Sequence, residues 1–275
     1  MLPLKDGAES ASNVSIVRML AVLSRFIGAT HALGVTEISR DLSMTKNMVH
    51  RALTTLVRNR YLVRDGSDTR YELGFGVLQF LDPTAAESDI RAICNPYLRR
   101  LQELSGESVF LSIVVGRNRV NVDSIEVPGR RVTHSIRGRA VPLHISETSR
   151  VLLSVLSDEE ITAYVRVAAP LLRSDGGVMS PQSLWREIRA IRKNGFCIGH
   201  GEPRRGEGRA EATYLAFPVI DMAGRPHAAL TIGGPRERFS IEAATRLIPA
   251  AQRVVVEANR DACLIPAKPV YLLGE

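Results

Sequence analysis

Between Ser43 and Arg64 the chain reads SMTKNMVHRALTTLVRNRYLVR, a stretch holding Lys46, Arg51, Arg58, Arg60 and Arg64 and not one acid. Val49, Leu53, Leu56 and Val57 recur in it at i, i+4, i+7 and i+8, the spacing of a buried helical stripe. The opposite face then carries Lys46, Asn47, His50, Arg51 and Thr54, side chains that hydrogen-bond base edges and phosphates. The major groove of B-DNA admits one helix, and the N-terminal residues of that helix make most of the base contacts. Thr45 is placed to cap the helix, whose first N–H groups also suit a phosphate. An ordinary solvated helix could show the same charges, so the neighbouring elements decide between the two readings.

Those neighbours are the right ones. Residues 13–28 space Val14, Val17, Leu20, Ala21, Leu23 and Ile27 as one helical stripe, with Gly28 as a stop. Thr36 can cap a short second helix, TEISRDL, and a break at Ser43-Met44 precedes the basic helix. After it, YLVRD and RYELG flank the turn Gly66–Thr69 as a hairpin, from which Arg64 and Arg70 can reach the DNA backbone or a minor groove. Helix, short helix, tight turn, longer helix and hairpin together make a winged helix-turn-helix.

The order of residues also resembles the DNA-binding domain of IclR-type regulators, whose pattern runs L-P-K-S-T-V-H-R-L-L, then Y-V-x-R-D and Y-x-L-G. Lys46, Val49, His50, Arg51, Leu53, Leu56, Tyr61, Arg64, Asp65, Tyr71, Leu73 and Gly74 fall on it. Asn47-Met48 replaces the usual Ser-Thr, and Thr45 the Pro. The resemblance continues to about residue 260 through GESVFL, GRAVPLH, LAFPVIDMAGR and ALTIGGP. It implies a GAF-like domain in which a sheet and its loops enclose a small effector. It also implies dimerisation through the first helix and linker, with higher assembly by the rear domains.

In the rear half, VFLSIVVG and RVNVDSIEV read as strands joined at Gly116–Asn118, followed by VTHSI, 196–199, 213–220 and 227–232. Helices are expected at 146–156, 158–167, 181–194 and 240–260. The effector candidates implied by the resemblance depart from the family's usual residues. Its paired strand serines are Thr231 and Gly233 here, its cysteine is Tyr214, and its Gly-Lys pair is Ser149-Arg150. Strand alternation puts Thr231 with Gly233 on one face, and Tyr214 with Ala216 on one face. Ser146 and Thr148 lie beside Ser149, and His200 opens a basic loop with Glu202, Arg204, Arg205 and Arg209. Tyrosine and arginines together suit a small organic or aromatic acid, because a guanidinium fork matches a carboxylate.

Catalysis finds no support. His144 and Glu147, three apart, have no third metal ligand, and no Gly-x-Ser-x-Gly elbow, phosphate loop or dinucleotide fingerprint occurs. Three dispersed cysteines, Cys94, Cys197 and Cys263, fit neither a disulfide framework nor a metal site and point to a reducing cytoplasm. No apolar run is long enough for a membrane helix. The net charge of +7 permits nucleic acid but does not demand it.

The expectation is therefore an α+β protein of 275 residues. A disordered leader at 1–12 precedes an N-terminal winged helix-turn-helix at 13–75 and a helical linker at 76–105. A C-terminal GAF-like antiparallel sheet flanked by helices occupies 106–262, and a tail 263–275. Expected partners are double-stranded DNA with a palindromic operator, a small-molecule effector and a second copy of the chain, as dimer or tetramer, with no cofactor. The alternative is a constitutive DNA-binding regulator whose rear domain serves only oligomerisation; an enzyme carrying a DNA-binding head is a third reading.

Overall fold

A computed structural model describes residues 11–27, 29, 31–65, 69–74, 76–77, 90–127, 140–173, 176–201, 212–222 and 224–264. They divide into two compact units, one within residues 1–85 and the other within 86–275.

The first unit runs α1 (Ala11–Ser24), β1 (Leu33–Gly34), α2 (Val35–Leu42), α3 (Lys46–Arg58), β2 (Leu62–Arg64) and β3 (Arg70–Leu73). Its antiparallel sheet is ordered β1-β3-β2. Val22, Phe26, Leu33, Ile38, Val49, Leu53, Leu56, Leu62 and Tyr71 form one core. β1, with only two residues, is too short to show a period, and pairing of Leu33 with Tyr71 is what defines it.

Two expectations fail here for identifiable reasons. Helix α1 buries Val22, and Phe26 in the turn just after it is buried too, while Leu20 and Ile27, placed on the inward stripe by spacing, lie outward with Ile16; Leu23 of the same stripe is half-buried against the core. A helix apolar on nearly every side gives periodicity no face to choose. Thr36 does not cap α2. Gly34 holds the cap position in extended conformation, so Thr36 already lies in the first helical turn. Helix α1 ends at Ser24, and Gly28, its expected stop, lies outside the described residues.

The second unit begins with α4 (Ile90–Ser105), then β4 (Ser108–Val115), β5 (Asn118–Ile125), β6 (Ala140–Pro142), α5 (Glu147–Ser154) and α6 (Asp158–Ala168). It continues with β7 (Leu171–Leu172), β8 (Val178–Met179), α7 (Pro181–Asn194), β9 (Cys197–His200), β10 (Ala212–Ile220), β11 (Pro226–Pro235) and α8 (Ile241–Ala262). Six strands make an antiparallel sheet in the order β6-β5-β4-β11-β10-β9. Sequence periodicity did not reveal β6 or the small β7-β8 pair, and the run VTHSI at 132–136 lies outside the described residues.

Alternation along the strands sends the two sets of side chains to two different helical layers. Val109, Leu111, Leu215, Phe217, Leu230 and Ile232 pack with Cys94, Leu98 and Leu101 of α4 and Val254 and Ala258 of α8. Ala216 and Ala229, on the other face, pack with Val151 and Leu152 of α5, Ile161 of α6 and Leu184 and Ile188 of α7. Helix α4 belongs by packing to this core, although its place in the chain suggests a connector. The Tyr97 hydroxyl donates to Asp261 of α8, and Arg100 donates to both oxygens of Glu257 at 2.6 and 3.0 Å.

Candidate nucleic-acid interface and effector site

The first unit presents α3 as a divided cylinder. Val49, Leu53 and Leu56 are buried, whereas Lys46, Asn47, His50, Arg51 and Thr54 are all exposed. Thr45 caps the helix, its hydroxyl accepting from the Met48 N–H at 3.4 Å. The turn before it is tight because Ser43 adopts left-handed backbone (φ 52°) and the Ser39 hydroxyl donates to the Met44 carbonyl at 2.5 Å. Arg25 of the segment after α1 donates to Asp41 of α2 at 3.0 Å and holds that carboxyl below the usual carboxylate range. Helix placement is thus fixed by core contacts and by polar ties away from the exposed face of α3.

The wing differs in part from expectation. Arg64 is exposed, with its guanidinium 5.9 Å from the Tyr71 ring centre. Arg70 is turned back onto the unit itself, donating to the Ala32 carbonyl at 2.8 Å and lying 3.8 Å from Glu37. That geometry makes Arg70 a tie between the wing and β1. Thr36 is exposed on α2.

In the second unit the register gathers most of the effector candidates. Tyr214 lies opposite Gly233, Ala216 opposite Thr231, and Thr231 opposite Phe110. All five share the α5 face of the sheet. A Cβ added at Gly233 would sit 2.9 Å from the Tyr214 ring and 3.0 Å from Phe110, so the missing side chain is what admits both rings. Thr148 of α5 reaches down to this row, its hydroxyl 3.0 Å from that of Thr231, both buried. Ser146 caps α5, its oxygen accepting from the Ser149 N–H at 3.4 Å. Ser146 does so at φ 81°, ψ 157°, a region populated almost solely by glycine, so the turn into α5 is strained. Ser149 is held against Ser146 by a 3.1 Å hydroxyl contact.

His200 does not join this group. It pairs with Thr213, and the Thr213 hydroxyl lies 3.3 Å from its Nδ1. Thr213 alternates with Tyr214, so His200 is on the α8 face; Gly199, one residue earlier, is the β9 position facing α5. Phe110, not among the sequence candidates, is in the row because β4 neighbours β11, a pairing that no local signal announces. Glu202, Arg204, Arg205 and Arg209 of the basic loop, and Gly138 before β6, lie outside the described residues.

His144 is accounted for without a metal. Its Nδ1 is 2.6 Å from the Tyr164 hydroxyl and its Nε2 3.0 Å from the Leu172 carbonyl. Among the described residues no group of three His, Cys, Asp or Glu side chains could hold a metal ion, and no helix is long and apolar enough to cross a membrane. Burial pushes the Cys94 and Cys197 thiols up to about 12, with Asp261 and Glu147 adding to the respective shifts. Both are therefore neutral and unreactive at physiological pH. Mass spectrometry after brief alkylation of the native protein at neutral pH is expected to find label on Cys263 before Cys94, which is buried, and before Cys197, which is partly exposed like Cys263 but whose thiol is pushed up to about 12. Equal labelling of Cys94 and Cys263 would contradict the buried position of Cys94.

A winged helix-turn-helix head followed by a helix-flanked antiparallel sheet defines a DNA-binding transcription regulator. The chain belongs to the IclR family. Residues 15–66 match the IclR helix-turn-helix domain, and residues 83–258 match the bacterial transcriptional regulator IclR C-terminal domain. It is 27% identical over 248 residues to the HTH-type transcriptional regulator KipR of Bacillus subtilis, covering 90% of this chain and 96% of that protein. It is 24% identical to the transcriptional repressor IclR of Escherichia coli, covering 88% of this chain and 89% of that protein. These relatives are regulators of transcription, not enzymes. Among solved structures, an IclR homologue from Microbacterium hydrocarbonoxydans complexed with 4-hydroxybenzoate superposes with a TM-score of 0.69 at 20% identity. The match covers 90% of this chain and 98% of the other, which supports the fold.

Proposed function

We propose that the chain is a sequence-specific DNA-binding regulator whose operator affinity is modulated by a small molecule held on the α5 face of its sheet. The observation that carries the DNA half is the division of α3: aliphatics inward, Lys46, Asn47, His50, Arg51 and Thr54 outward. Lys46, Asn47, His50 and Arg51 occupy the helix's first half and serve base edges, while Thr36, Thr45 and Arg64 serve phosphates. Arg70, committed to Ala32 and Glu37, contributes by holding the wing.

Two copies bind a palindromic site with recognition helices about 34 Å apart. The outward Ile16, Leu20 and Ile27 of the first helical segment favour self-association, as burying them stabilises a pair. The protein works where its DNA is, in the cytoplasm. Effector control follows linkage: a ligand shifts operator affinity only by its differential affinity for the DNA-competent arrangement. Gathering of Thr148, Tyr214, Thr231 and Gly233 on one covered face supports that half of the reading, as does the solved homologue carrying 4-hydroxybenzoate.

The test starts from duplexes selected out of a random pool and measures fluorescence anisotropy with and without candidate acids. Asn47→Ala is expected to lose about 1–3 kcal/mol of discrimination at one base position. Equal loss on every duplex variant would make Asn47 a backbone contact, and indifference to all duplexes at low salt would end the DNA reading. Operator binding unmoved by any compound would leave the constitutive regulator in its place.

A further inference from the structure

Helix α7 carries Arg186, Arg189, Arg192 and Lys193 against a single acid, Glu187. Two of these five side chains have work inside the fold. Glu187 is half-buried and lies 2.9 Å from Arg150 of α5. Arg192 donates to the Ser154 and Leu156 carbonyls, each at 2.8 Å, and to Asp158 at 2.6 Å, tying α7 to the end of α5 and the start of α6. Arg186, Arg189 and Lys193 are exposed, and no hydrogen bond or ion pair joins any of them to another group.

Spacing makes those three a stripe. Gln182, Arg186, Arg189 and Lys193 fall at i, i+4, i+7 and i+11, on the side of α7 opposite the buried Leu184, Ile188 and Ile191. From Arg186 to Lys193 is about 10 Å along the axis. Folding does not ask for this row. Like charges three and four residues apart repel, and the helix dipole favours a cation in the last turn, as at Lys193, but not Arg186 and Arg189 in the middle. Beside the end of α7, α6 opens with three acids. Asp158 is taken by Arg192, Glu160 accepts from the Ser157 N–H at 2.8 Å, and only Glu159 is left outward. The exposed side of α8 differs, since Arg246, Arg253 and Arg260 share that helix with Glu242, Glu257 and Asp261. Residues 1–85 hold 10 Lys and Arg against 8 Asp and Glu, whereas residues 86–275 hold 26 against 21. Most of the excess positive charge is therefore outside the unit that reads DNA.

We propose that the outer face of α7 is a second DNA contact, on which Arg186, Arg189 and Lys193 hold backbone phosphates of the duplex that α3 reads. The proposal rests on the DNA half of the reading above. A row of long cationic side chains with no acid among them fits a polyanion, and duplex DNA offers one charge per about 1.7 Å of its axis. DNA is favoured over an acidic protein because the duplex, once bound by the first unit, is tethered to the second at high effective concentration. Contacts to phosphate release counterions and carry no sequence information. The α7 face thus adds affinity and leaves specificity to α3.

Anisotropy titrations of the full chain on a selected operator with long flanks, repeated over a range of KCl concentrations, test this. The triple variant Arg186→Gln, Arg189→Gln, Lys193→Gln is expected to bind about tenfold or more weakly at low salt. Its salt slope should fall by about 2–3 per contacting chain, at about 0.9 per phosphate released, with base preferences unchanged. Arg189→Gln alone should lower the slope by about 1, which keeps the test open if the triple variant loses stability. The control removes the same charge from α8 by Arg246→Gln, Arg253→Gln and Arg260→Gln, and should keep the parent's slope. A parental slope in the α7 variants overturns the proposal, and so does an equal fall in both triple variants, which would reflect net charge alone. A parent that binds no duplex would end the DNA reading itself. A parent that binds while its α7 variants match it would end only the second contact.

Discussion

Leu53→Ala is expected to abolish most operator binding without altering one exposed group on α3. Leu53 is fully buried between Val49 and Leu56 in the core that joins α3 to α1, α2 and the wing. Removing its branched end costs about 2–5 kcal/mol, the transfer term plus the cavity left behind. A small unit has few other contacts with which to absorb that loss, and domains as a class hold only about 5–15 kcal/mol in total. Calorimetry should show an early transition for the first unit while the second melts as before. Thr54→Ala, the adjacent exposed change, should do the reverse, altering DNA affinity with stability kept within about 0.5 kcal/mol. A Leu53→Ala protein as stable as its parent would mean that α3 is not packed as described.

Gly74→Ala is the second large effect, arising from backbone rather than side chains. A Cβ at residue 74 would lie 2.4 Å from the Arg60 carbonyl oxygen and 3.1 Å from the Leu62 carbonyl carbon. Neither atom can rotate away. The approach is held by hydrogen bonds from the Gly74 N–H to the Tyr61 carbonyl at 2.8 Å and from Gly76 to Arg60 at 2.9 Å. Arg60 itself is in the left-handed region, at φ 64°. Overpacking costs about 1–3 kcal/mol, and the upper end is expected where the obstacle is main chain. Hydrogen exchange should report lost protection on β2 and β3, with operator affinity falling alongside. Glu72→Ala, exposed on β3, is the control. Unchanged protection in Gly74→Ala would show that the segment after β3 can leave Arg60 freely.

How much of this was legible in advance varies with the range of the interaction. The inward stripe of α3, its Thr45 cap and its exposed polar face follow from spacings within one helix, and they appear as read except that Val57 is only half-buried. The same logic misjudged α1, because Ile16, Leu20 and Ile27 are as apolar as the Val22 and Phe26 that are buried. It misjudged Thr36 because the cap of α2 depends on where β1 ends, and β1 exists only by pairing with β3. At the effector site, alternation correctly grouped Thr231 with Gly233 and Tyr214 with Ala216. It could not say that the two pairs face each other, nor that His200 turns the other way.

Arg119 and Asn121 show the same limit more sharply. In RVNVDSI they alternate with valines, and polar alternation reads as a strand with one wet face. Both are buried, on the face that α5 covers.

By itself the sequence determined most of the helices and the longer strands, which face of α3 is polar, and the family to which the order of motifs belongs. These depend on periodicity and local backbone preference, both written within a few residues. Tertiary structure alone decided which apolar face of α1 is covered, that α4 is a core helix, that Arg70 is spent on the wing, and that Phe110, Arg119, Thr148 and Tyr214 share one side of a sheet. Those outcomes depend on strand order and register, which bring together residues more than a hundred positions apart, and no spacing along the chain encodes them.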